Sequence, residues 1–386
     1  MTTLAYYLHN LNPVIVHLGP ITPRWYGFAY LMGFLGAYLL LMKQARDGML
    51  RLPLERVPDM VLNGCIFGVL IGGRVGYVLF YDLPNALHEG YTPLLWRFSS
   101  QFPYWGLLDV MNGGMSAHGG IVFTIITLMV FVWRYNVGLA KANPGVPLDS
   151  DPRLRKASLV NVGDACCMVV PIGLCFGRIA NFINGELYGH ASTLPWAVQF
   201  PSEIYAPTNG VMDPGVEAKL PGLLQHLHPF MNFDAALDIF SKDLQNHVPA
   251  AMEAVRTILP GRHPSQLYEG LLEGVLLFVI CYTIGRLWRK DGMASGAFLT
   301  FYPVMRIIGE QFRVGDHAVV FAGMSAGVLY SLAMIIPALA YWTYWIRRNR
   351  RVPWVPQKPL RAGPPAGTPP PPRDPAGAVE NPTPSA

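Results

Sequence analysis

The sequence predicts an all-α polytopic membrane protein with about seven transmembrane helices, a small external helical head and a disordered C-terminal tail. Hydrophobic residues make up 52% of the 386 residues and charged residues only 14%, a composition typical of membrane proteins. Apolar runs that approach the length of about 20 residues needed to cross a bilayer recur as far as Ile346. The net charge of +5 comes from short basic clusters between these runs, which indicates membrane topology rather than a nucleic-acid partner.

Seven apolar runs define the candidate helices. They lie near residues 26–42, 57–81, 119–134, 158–177, 264–285, 293–311 and 319–346. Lys and Arg residues concentrate in alternate connections, beginning with Lys43 and Arg46 after the first run and ending with Arg347 and Arg348 after the last. By the positive-inside rule these connections and the C-terminus lie in the cytoplasm, and the N-terminus lies outside.

This topology divides the chain into five parts. They are an external N-terminal segment (1–25), the first four helices with a polar signature loop (26–189), an external head (190–262), the last three helices (263–346) and a proline-rich cytoplasmic tail (347–386). In the head, amphipathic stretches at 233–248 and 250–259 predict short helices. In the tail, twelve of the 35 residues from 352 to 386 are proline, which predicts disorder.

The most unusual polar segment is GRIANFINGELYG, residues 177–189. The helix before it is weakened by proline and glycine, so we expect the backbone to leave the helical conformation here. Non-helical backbone at membrane depth is tolerated where it is buried in protein or lines a polar cavity. The segment suits a lipid headgroup, because arginine can hold a phosphate, amides can orient it and glycines allow close approach; a salt-bridged helix end is the alternative. The candidate residues are Arg178, Asn181, Asn184, Glu186 and Gly189.

Other ionisable side chains lie at the ends of the predicted helices. His118 precedes two glycines at the start of an apolar run, where a neutral imidazole could accept a proton or simply cap the helix. Arg74 lies in GGRVGYVLFY, within the second run. His263 and Glu269 lie in RHPSQLYEG at the mouth of the fifth, where an interfacial belt with a proline at the helix start is the alternative.

Arg306 and Glu310 are four residues apart, hence on one face of a helix, where they can form an ion pair or share a ligand. Tyr26, at the outer end of the first run, fits either an aromatic belt or a pocket. A charged side chain in the middle of a spanning helix costs about 3 kcal/mol on insertion scales. Several arginine-bearing segments predicted on one side of the membrane therefore favour a pocket for an anion.

Five segments in the same order resemble the phosphatidylglycerol–prolipoprotein diacylglyceryl transferase family, over residues 22 to about 340. They are GGRVGYVLFY at 72–81, HGG at 118–120, GRIANFINGELYG at 177–189, RHPSQLYE at 262–269 and the Arg306/Glu310 pair. The resemblance implies an inner-membrane enzyme that moves a diacylglyceryl group from phosphatidylglycerol to the lipobox cysteine of a prolipoprotein. A thioether forms and glycerol phosphate leaves, without a metal or nucleotide cofactor.

The resemblance also implies roles for individual residues. The expected catalytic residues are His118, Arg178, Arg306 and Glu310. The expected substrate-binding residues are Tyr26, Arg74, Asn181, Asn184, Glu186, Gly189, His263 and Glu269. The arginines would hold the phosphate and His118 is the first candidate for the proton acceptor, while Asn181 and Glu186 would orient the headgroup or hold the arginines in place.

The sequence departs from the family in two features. After Glu310 it reads QFRVGDH, where the family commonly has a proline and an acidic residue after the arginine, which leaves the contributions of Arg313 and Asp316 open. The external loop is also longer than the family leads us to expect.

A membrane transporter or channel for an anionic solute is the main rival function, because broken helices with buried arginines also suit transport. It would predict paired repeats, and the sequence shows none.

Overall fold

The structure is a computed structural model, and it describes residues 6–16, 22–100, 104–108, 114–146, 155–314, 319–321 and 324–348. The tail predicted to be disordered lies outside these residues from position 349 onward. The longer helices are α1 (Trp25–Arg46), α2 (Leu54–Glu89), α3 (Ala117–Ala142), α4 (Leu159–Asn184), α5 (Pro214–Leu227), α6 (Phe233–Gln245), α7 (Pro249–Arg256), α8 (Ser265–Trp288), α9 (Met293–Glu310) and α10 (Ala326–Arg348).

Within the described ranges, six helices are long and apolar enough to cross a membrane: α1, α2, α3, α4, α8 and α10. The predicted class, an all-α polytopic membrane protein, is thereby confirmed. The sixth predicted helix forms as α9. It carries Arg306 and Glu310, and it is less hydrophobic than the six helices that are apolar enough to cross a membrane. Because α9 packs against α4, α8 and α10, protein rather than lipid surrounds most of its polar side chains.

The course of α4 corrects the expectation for the signature segment. The helix does not end near residue 177 but continues to Asn184, in spite of Pro171 in its interior. Gly185 ends it in the left-handed conformation, with φ at 69°, and the Gly185 N–H returns to a carbonyl of the last helical turn. Arg178 is therefore presented by regular helix, and the break follows it by two turns.

The start of α10 is also later than predicted. Where a helix was expected from residue 319, the strands Val319–Phe321 and Met324–Ser325 pair antiparallel. The Ser325 hydroxyl then accepts a hydrogen bond from the backbone N–H of Val328 at 3.3 Å. Serine is a preferred residue at a helix N-terminus because its oxygen satisfies one of the free N–H groups there.

Direct backbone contact joins α2 to α3. Within α2, π-helical turns at Gly64–Ile71 and Val78–Asp82 flank a short α-helical stretch. A Cβ added to Gly76 of α2 would lie 2.3 Å from the Cα of Gly119 in α3, so there is no room for a side chain between the helices. Small residues that allow such close approach are typical of helix contacts in membranes.

Residues 190–262, which we call the head, contain most of a separate apolar core that also includes Leu8. Helices α5, α6 and α7 pack around the buried side chains of Leu220, Phe240 and Val255. Both amphipathic stretches are helical as predicted: α6 lies within 233–248, and α7 covers most of 250–259. The N-terminal strand Tyr7–Leu8 pairs in parallel with Val198–Gln199, so the beginning of the described chain is built into this head.

His9 connects the N-terminal strand, which is paired with the head, to the end of α4 through contacts with Phe182. Its Nε2–H donates to the carbonyl oxygen of Phe182 at 2.7 Å, and its ring meets the Phe182 ring edge-on. Burial lowers the pKa of His9 to about 4. The imidazole is therefore neutral at physiological pH, and the hydrogen bond persists without a buried charge.

Gly119→Ala tests the contact between α2 and α3. The added Cβ would lie 2.5 Å from both the carbonyl oxygen of Gly72 and the Cα of Gly76, so the helices must move apart. We expect a loss of about 1–3 kcal/mol, seen as a lower midpoint of thermal unfolding in detergent. Gly138→Ala on the same helix is the matched control, because a Cβ there meets nothing within 4 Å. Equal midpoints for the two variants would contradict the contact.

Candidate active site

Three helices supply a set of charged side chains that meet inside the bundle. Arg178 comes from α4, Glu269 and Glu273 from α8, and Arg306 and Glu310 from α9. In α8 and in α9 the two charged residues are four positions apart, so each pair shares one helix face. We call these five residues, together with Arg313 beside Glu269, the arginine–glutamate cluster.

The ion pairs of the cluster cross between all three helices. Arg178 lies with Nη1 3.0 Å from Glu269 Oε2 and Nη2 3.2 Å from Glu273 Oε2. Arg306 lies with Nη1 2.6 Å from Glu269 Oε1 and 3.5 Å from Glu273 Oε1. Its Nη2 is 2.9 Å from Glu310 Oε2, so the expected intrahelical ion pair forms. Both α8 carboxylates are therefore shared by two arginines.

The cluster is buried and electrically balanced. The side chains of Glu269 and Glu273 are fully buried, while those of Arg178 and Arg306 retain 17% and 15% exposure. A third arginine, Arg313, lies with Nη1 4.0 Å from Glu269 Oε1. With all groups ionised, three arginines and three glutamates cancel, which offsets the large desolvation cost of buried ions. Arg313, left open by the sequence, thus belongs to the cluster, whereas Asp316 lies outside the described residues.

Glu186 is held by a separate set of amides. Its Oε1 accepts from Asn181 Nδ2 at 2.8 Å and from Asn184 Nδ2 at 3.3 Å. Its backbone carbonyl accepts from Gln266 Nε2 at 2.6 Å. Tyr26 lies in the first turn of α1, the helix that packs along α4. The amides thus hold Glu186, and the arginines are held instead by the glutamates of α8 and α9.

Gly189 lies where the signature loop meets the ends of α8 and α9. Its N–H donates to the carbonyl of His263 at 2.9 Å, and its backbone pairs with Arg313. A Cβ at this position would lie 2.2 Å from the carbonyl oxygen of Phe312. Only glycine fits, so Gly189 has a packing role irrespective of any contact with substrate.

Arg262, the last residue of the head, donates from Nη1 to the carbonyl of Gly189 at 3.3 Å and also forms a buried ion pair within the head that the sequence did not indicate. Its Nε donates to Glu203 Oε2 at 2.7 Å, and its Nη2 lies 3.2 Å from Asp213 Oδ2. Its guanidinium also lies over the ring of Tyr188, 5.0 Å from the centroid. Glu203 lies in the short helix Ser202–Tyr205 and Asp213 at the N-terminus of α5, and neither hydropathy nor spacing marks them as partners of Arg262.

His263 follows Arg262 at the start of α8. Its Nδ1 lies 3.4 Å from the hydroxyl of Tyr268, and its ring packs against Phe312. Burial, followed by the neighbouring His190, lowers the pKa of His263. The ring is thus a neutral part of the junction between head and bundle.

Arg74 and His118 belong to a second group, on α2 and α3. The guanidinium of Arg74 donates to the carbonyls of Gly106, Leu107 and Gly114, at 2.6, 2.8 and 2.8 Å, and so organises the chain between the two helices. His118 is exposed, and its Nδ1 lies 3.1 Å from the hydroxyl of Tyr81. Among the polar contacts of the described residues, none joins His118 to Arg178 or Arg306.

Two residues of these groups received no role in the site from the sequence. Glu273 lies four residues after Glu269, which is helical spacing, and the pair could have been recognised as one acidic face. Tyr81 closes the GGRVGYVLFY segment, but its proximity to His118 depends on the approach of two helices. Spacing along one helix is visible in a sequence, and contact between helices is not.

Glu273→Gln tests whether the cluster depends on charge balance. The variant keeps the size of the side chain but leaves Arg178 and Arg306 with one carboxylate fewer in a buried site. We expect a loss of about 3–5 kcal/mol, measured by thermal unfolding in detergent. Glu253→Gln in the head is the control, because that side chain is 78% exposed and should change stability by less than about 0.5 kcal/mol. Similar midpoints for the two variants would contradict the charge balance.

The comparisons with known proteins agree with the motifs. The model of the prolipoprotein diacylglyceryl transferase family matches residues 13–344. Three relatives carry the name phosphatidylglycerol–prolipoprotein diacylglyceryl transferase. The one from Bdellovibrio bacteriovorus is 34% identical, over 88% of this chain and 94% of its own. Those from Erwinia tasmaniensis and Stenotrophomonas maltophilia are 34% and 32% identical, over 89% and 92% of this chain and 96% and 98% of their own.

The family match begins before α1, ends within α10 and so contains the arginine–glutamate cluster, the signature loop and His118. The resemblance drawn from five short segments is confirmed over nearly the whole described chain. This chain belongs to the prolipoprotein diacylglyceryl transferase family of membrane enzymes.

Proposed function

We propose that this enzyme transfers the diacylglyceryl group of phosphatidylglycerol to the lipobox cysteine thiol of a prolipoprotein, the first step of lipoprotein maturation. The observation that carries the proposal is a charge-balanced cluster of arginines and glutamates, buried in a multi-pass membrane protein of this family. Family membership favours this activity over transport of an anionic solute.

The reaction needs no nucleophile from the enzyme. The thiol sulfur bonds to the terminal glycerol carbon of the diacylglyceryl group, and the bond from that carbon to the phosphate oxygen breaks. The electron pair of the broken bond goes to the phosphate, which leaves as glycerol phosphate, and the thiol proton goes to an acceptor. The enzyme must therefore stabilise the phosphate, position the carbon and remove the proton.

Arg178 and Arg306 are the groups that we assign to the phosphate. Their orientation is set before substrate arrives, because Glu269, Glu273 and Glu310 hold their terminal nitrogens. Such preorganised donors stabilise developing charge with little rearrangement. Glu310 contributes by fixing Arg306, and Glu269 contributes by fixing both arginines.

The polar groups around Glu186 are the ones that we assign to the glycerol headgroup. Asn181 and Asn184 orient the Glu186 carboxylate, which can accept hydrogen bonds from hydroxyls, and Tyr26 lies on α1, which packs along α4. Gly189 and His263 shape the wall of this site through the junction with the head, and Arg74 shapes the loop before α3.

We assign proton removal to His118. Its imidazole is exposed at the start of α3, where a thiol can reach it, and neutral histidine is the usual proton acceptor near neutral pH. Because His118 makes no ion pair with the cluster in the described structure, its replacement leaves the buried charges balanced.

A transfer assay with purified enzyme tests the function. Phosphatidylglycerol and a lipobox peptide should yield a peptide that is heavier by one diacylglyceryl group, with release of glycerol phosphate, both measured by mass spectrometry. His118→Gln should lower the rate about 100-fold or more while thermal unfolding is unchanged, since the side chain is exposed.

A peptide with serine in place of the lipobox cysteine is the chemical control and should remain unmodified. If the wild-type enzyme binds phosphatidylglycerol but forms no thioether, the proposed function is wrong. If His118→Gln retains the full rate, another group removes the proton.

We further propose an inner-membrane location with the N-terminus in the periplasm and the C-terminus in the cytoplasm. The basic residues Lys43 and Arg46 at the end of α1, and Arg347 and Arg348 at the end of α10, support this orientation. The head then lies on the periplasmic side, where prolipoproteins present their lipobox.

Cysteine labelling tests this orientation. Glu253→Cys in the head and Lys43→Cys at the end of α1 replace side chains that are 78% and 55% exposed. A membrane-impermeant maleimide added to spheroplasts should label the first variant, and should label the second only after lysis. The unsubstituted chain gives the background from its five native cysteines. The reverse pattern would invert the orientation.

A further inference from the structure

Tyr81 of α2 and His118 of α3 form a hydrogen-bonded pair that the proposed function does not yet use. The phenol oxygen lies 3.1 Å from Nδ1 of the imidazole. We propose that Tyr81 is a positioning residue, which keeps the proton of His118 on Nδ1 and so leaves Nε2 free to accept the thiol proton. This inference rests on the proposed function, because it defines how His118 would act in the transfer reaction.

The backbone fixes the position of His118 relative to α2. The N–H of Ser116 donates to the carbonyl of Gly73 at 2.9 Å, and the Ser116 hydroxyl accepts from the N–H of Gly119 at 3.1 Å. Gly119 also touches the backbone of Gly76. The first turn of α3 is thus attached to α2 on both sides of His118, and rotation of α3 about its axis is prevented.

The ring of Tyr81 is held in turn by its own helix. It stacks on the ring of Tyr77 with a centroid distance of 5.9 Å and an angle of 23°. The guanidinium of Arg74 lies 5.9 Å from the centroid of Tyr77. Tyr81 lies in the π-helical turn Val78–Asp82, a type of distortion that often occurs at functional sites. Both partners of the hydrogen bond are therefore prearranged.

The chemistry of the pair depends on which group donates. A phenol can donate or accept, and a neutral imidazole carries one N–H. If Tyr81 donated to Nδ1, the proton of His118 would be on Nε2, and no exposed nitrogen would remain to accept another. If Nδ1–H donates to Tyr81, the lone pair of Nε2 faces away from the pair and is accessible. Base function of His118 requires the second arrangement.

The second arrangement also persists through the reaction. When the thiol proton moves to Nε2, the sulfur forms its bond to carbon and the phosphate oxygen receives the electron pair of the broken bond. The resulting imidazolium still donates from Nδ1 to Tyr81, and a hydrogen bond from a charged donor is stronger than one from a neutral donor. The imidazolium then returns its proton to water.

Steady-state kinetics of Tyr81→Phe test the assignment. The variant keeps the stacked ring and loses only the hydroxyl. We expect kcat to fall about ten-fold or more, with KM for phosphatidylglycerol and for the lipobox peptide within about two-fold of wild type. Tyr77→Phe is the matched control, since it removes a hydroxyl from the neighbouring ring without touching the hydrogen bond, and kcat should stay within about two-fold.

Nitrogen-15 NMR of histidine-labelled enzyme reads the tautomer independently of turnover. The His118 signals are identified by their loss in His118→Gln. At alkaline pH the wild type should show the proton on Nδ1, and Tyr81→Phe should shift it toward Nε2. A wild-type proton on Nε2, or a tautomer unchanged by Tyr81→Phe, overturns the proposal.

The kinetic outcomes separate this inference from the proposed function. An active wild type with unchanged kcat in Tyr81→Phe rejects the role of Tyr81 and leaves the transferase activity intact. A wild type that forms no thioether rejects the proposed function, and with it any catalytic meaning of the pair.

Discussion

The requirement that a buried carboxylate be paired with a cation governs the centre of this protein. Glu269 is enclosed by α4, α8 and α9, and its two oxygens face Arg178 and Arg306 on opposite neighbours. Breaking a buried pair from one side leaves an uncompensated charge, which costs several kcal/mol. The three helices are therefore held together by ion pairs. Helix α9 can be more polar than a lipid-facing helix because its Arg306 pairs with carboxylates inside the bundle.

A different constraint fixes the other half of the site. The contact of α2 with α3 excludes side chains, and it is the close approach of Gly76 and Gly119 that brings His118 to Tyr81. The head is attached in another way: Arg262, which pairs with Glu203 inside the head, donates to the carbonyl of Gly189 in the signature loop. Charge sets the arginines proposed to bind the phosphate and backbone packing sets the proposed base, so a mutation in one group need not disturb the other.

The sequence predicted the spans and the head helices because hydropathy and amphipathic period are properties of single segments. It did not locate the end of α4, because proline and glycine inside a helix matter less when neighbouring helices enclose it, whereas Gly185 can adopt the left-handed conformation that ends a helix. Of the cluster, the sequence predicted a pocket for an anion and the pairing of Arg306 with Glu310, but not the pairing of both arginines with Glu269 and Glu273. The sequence shows Glu269 at helical spacing from Glu273, but not that α4 and α9 approach α8 from both sides.

Charge balance also explains how such a site can perform the proposed transfer within a membrane. With all its groups ionised, the cluster carries no net charge before substrate binds, since each arginine already has its carboxylate. As the carbon–oxygen bond breaks, negative charge grows on the phosphate beside Arg178 and Arg306, while the thiol proton adds positive charge to His118. The two changes cancel for the protein and substrates together. Because charge separation is expensive where water is scarce, oriented arginines on one side and a hydrogen-bonded imidazolium on the other lower the barrier without any change in the ionisation of the cluster.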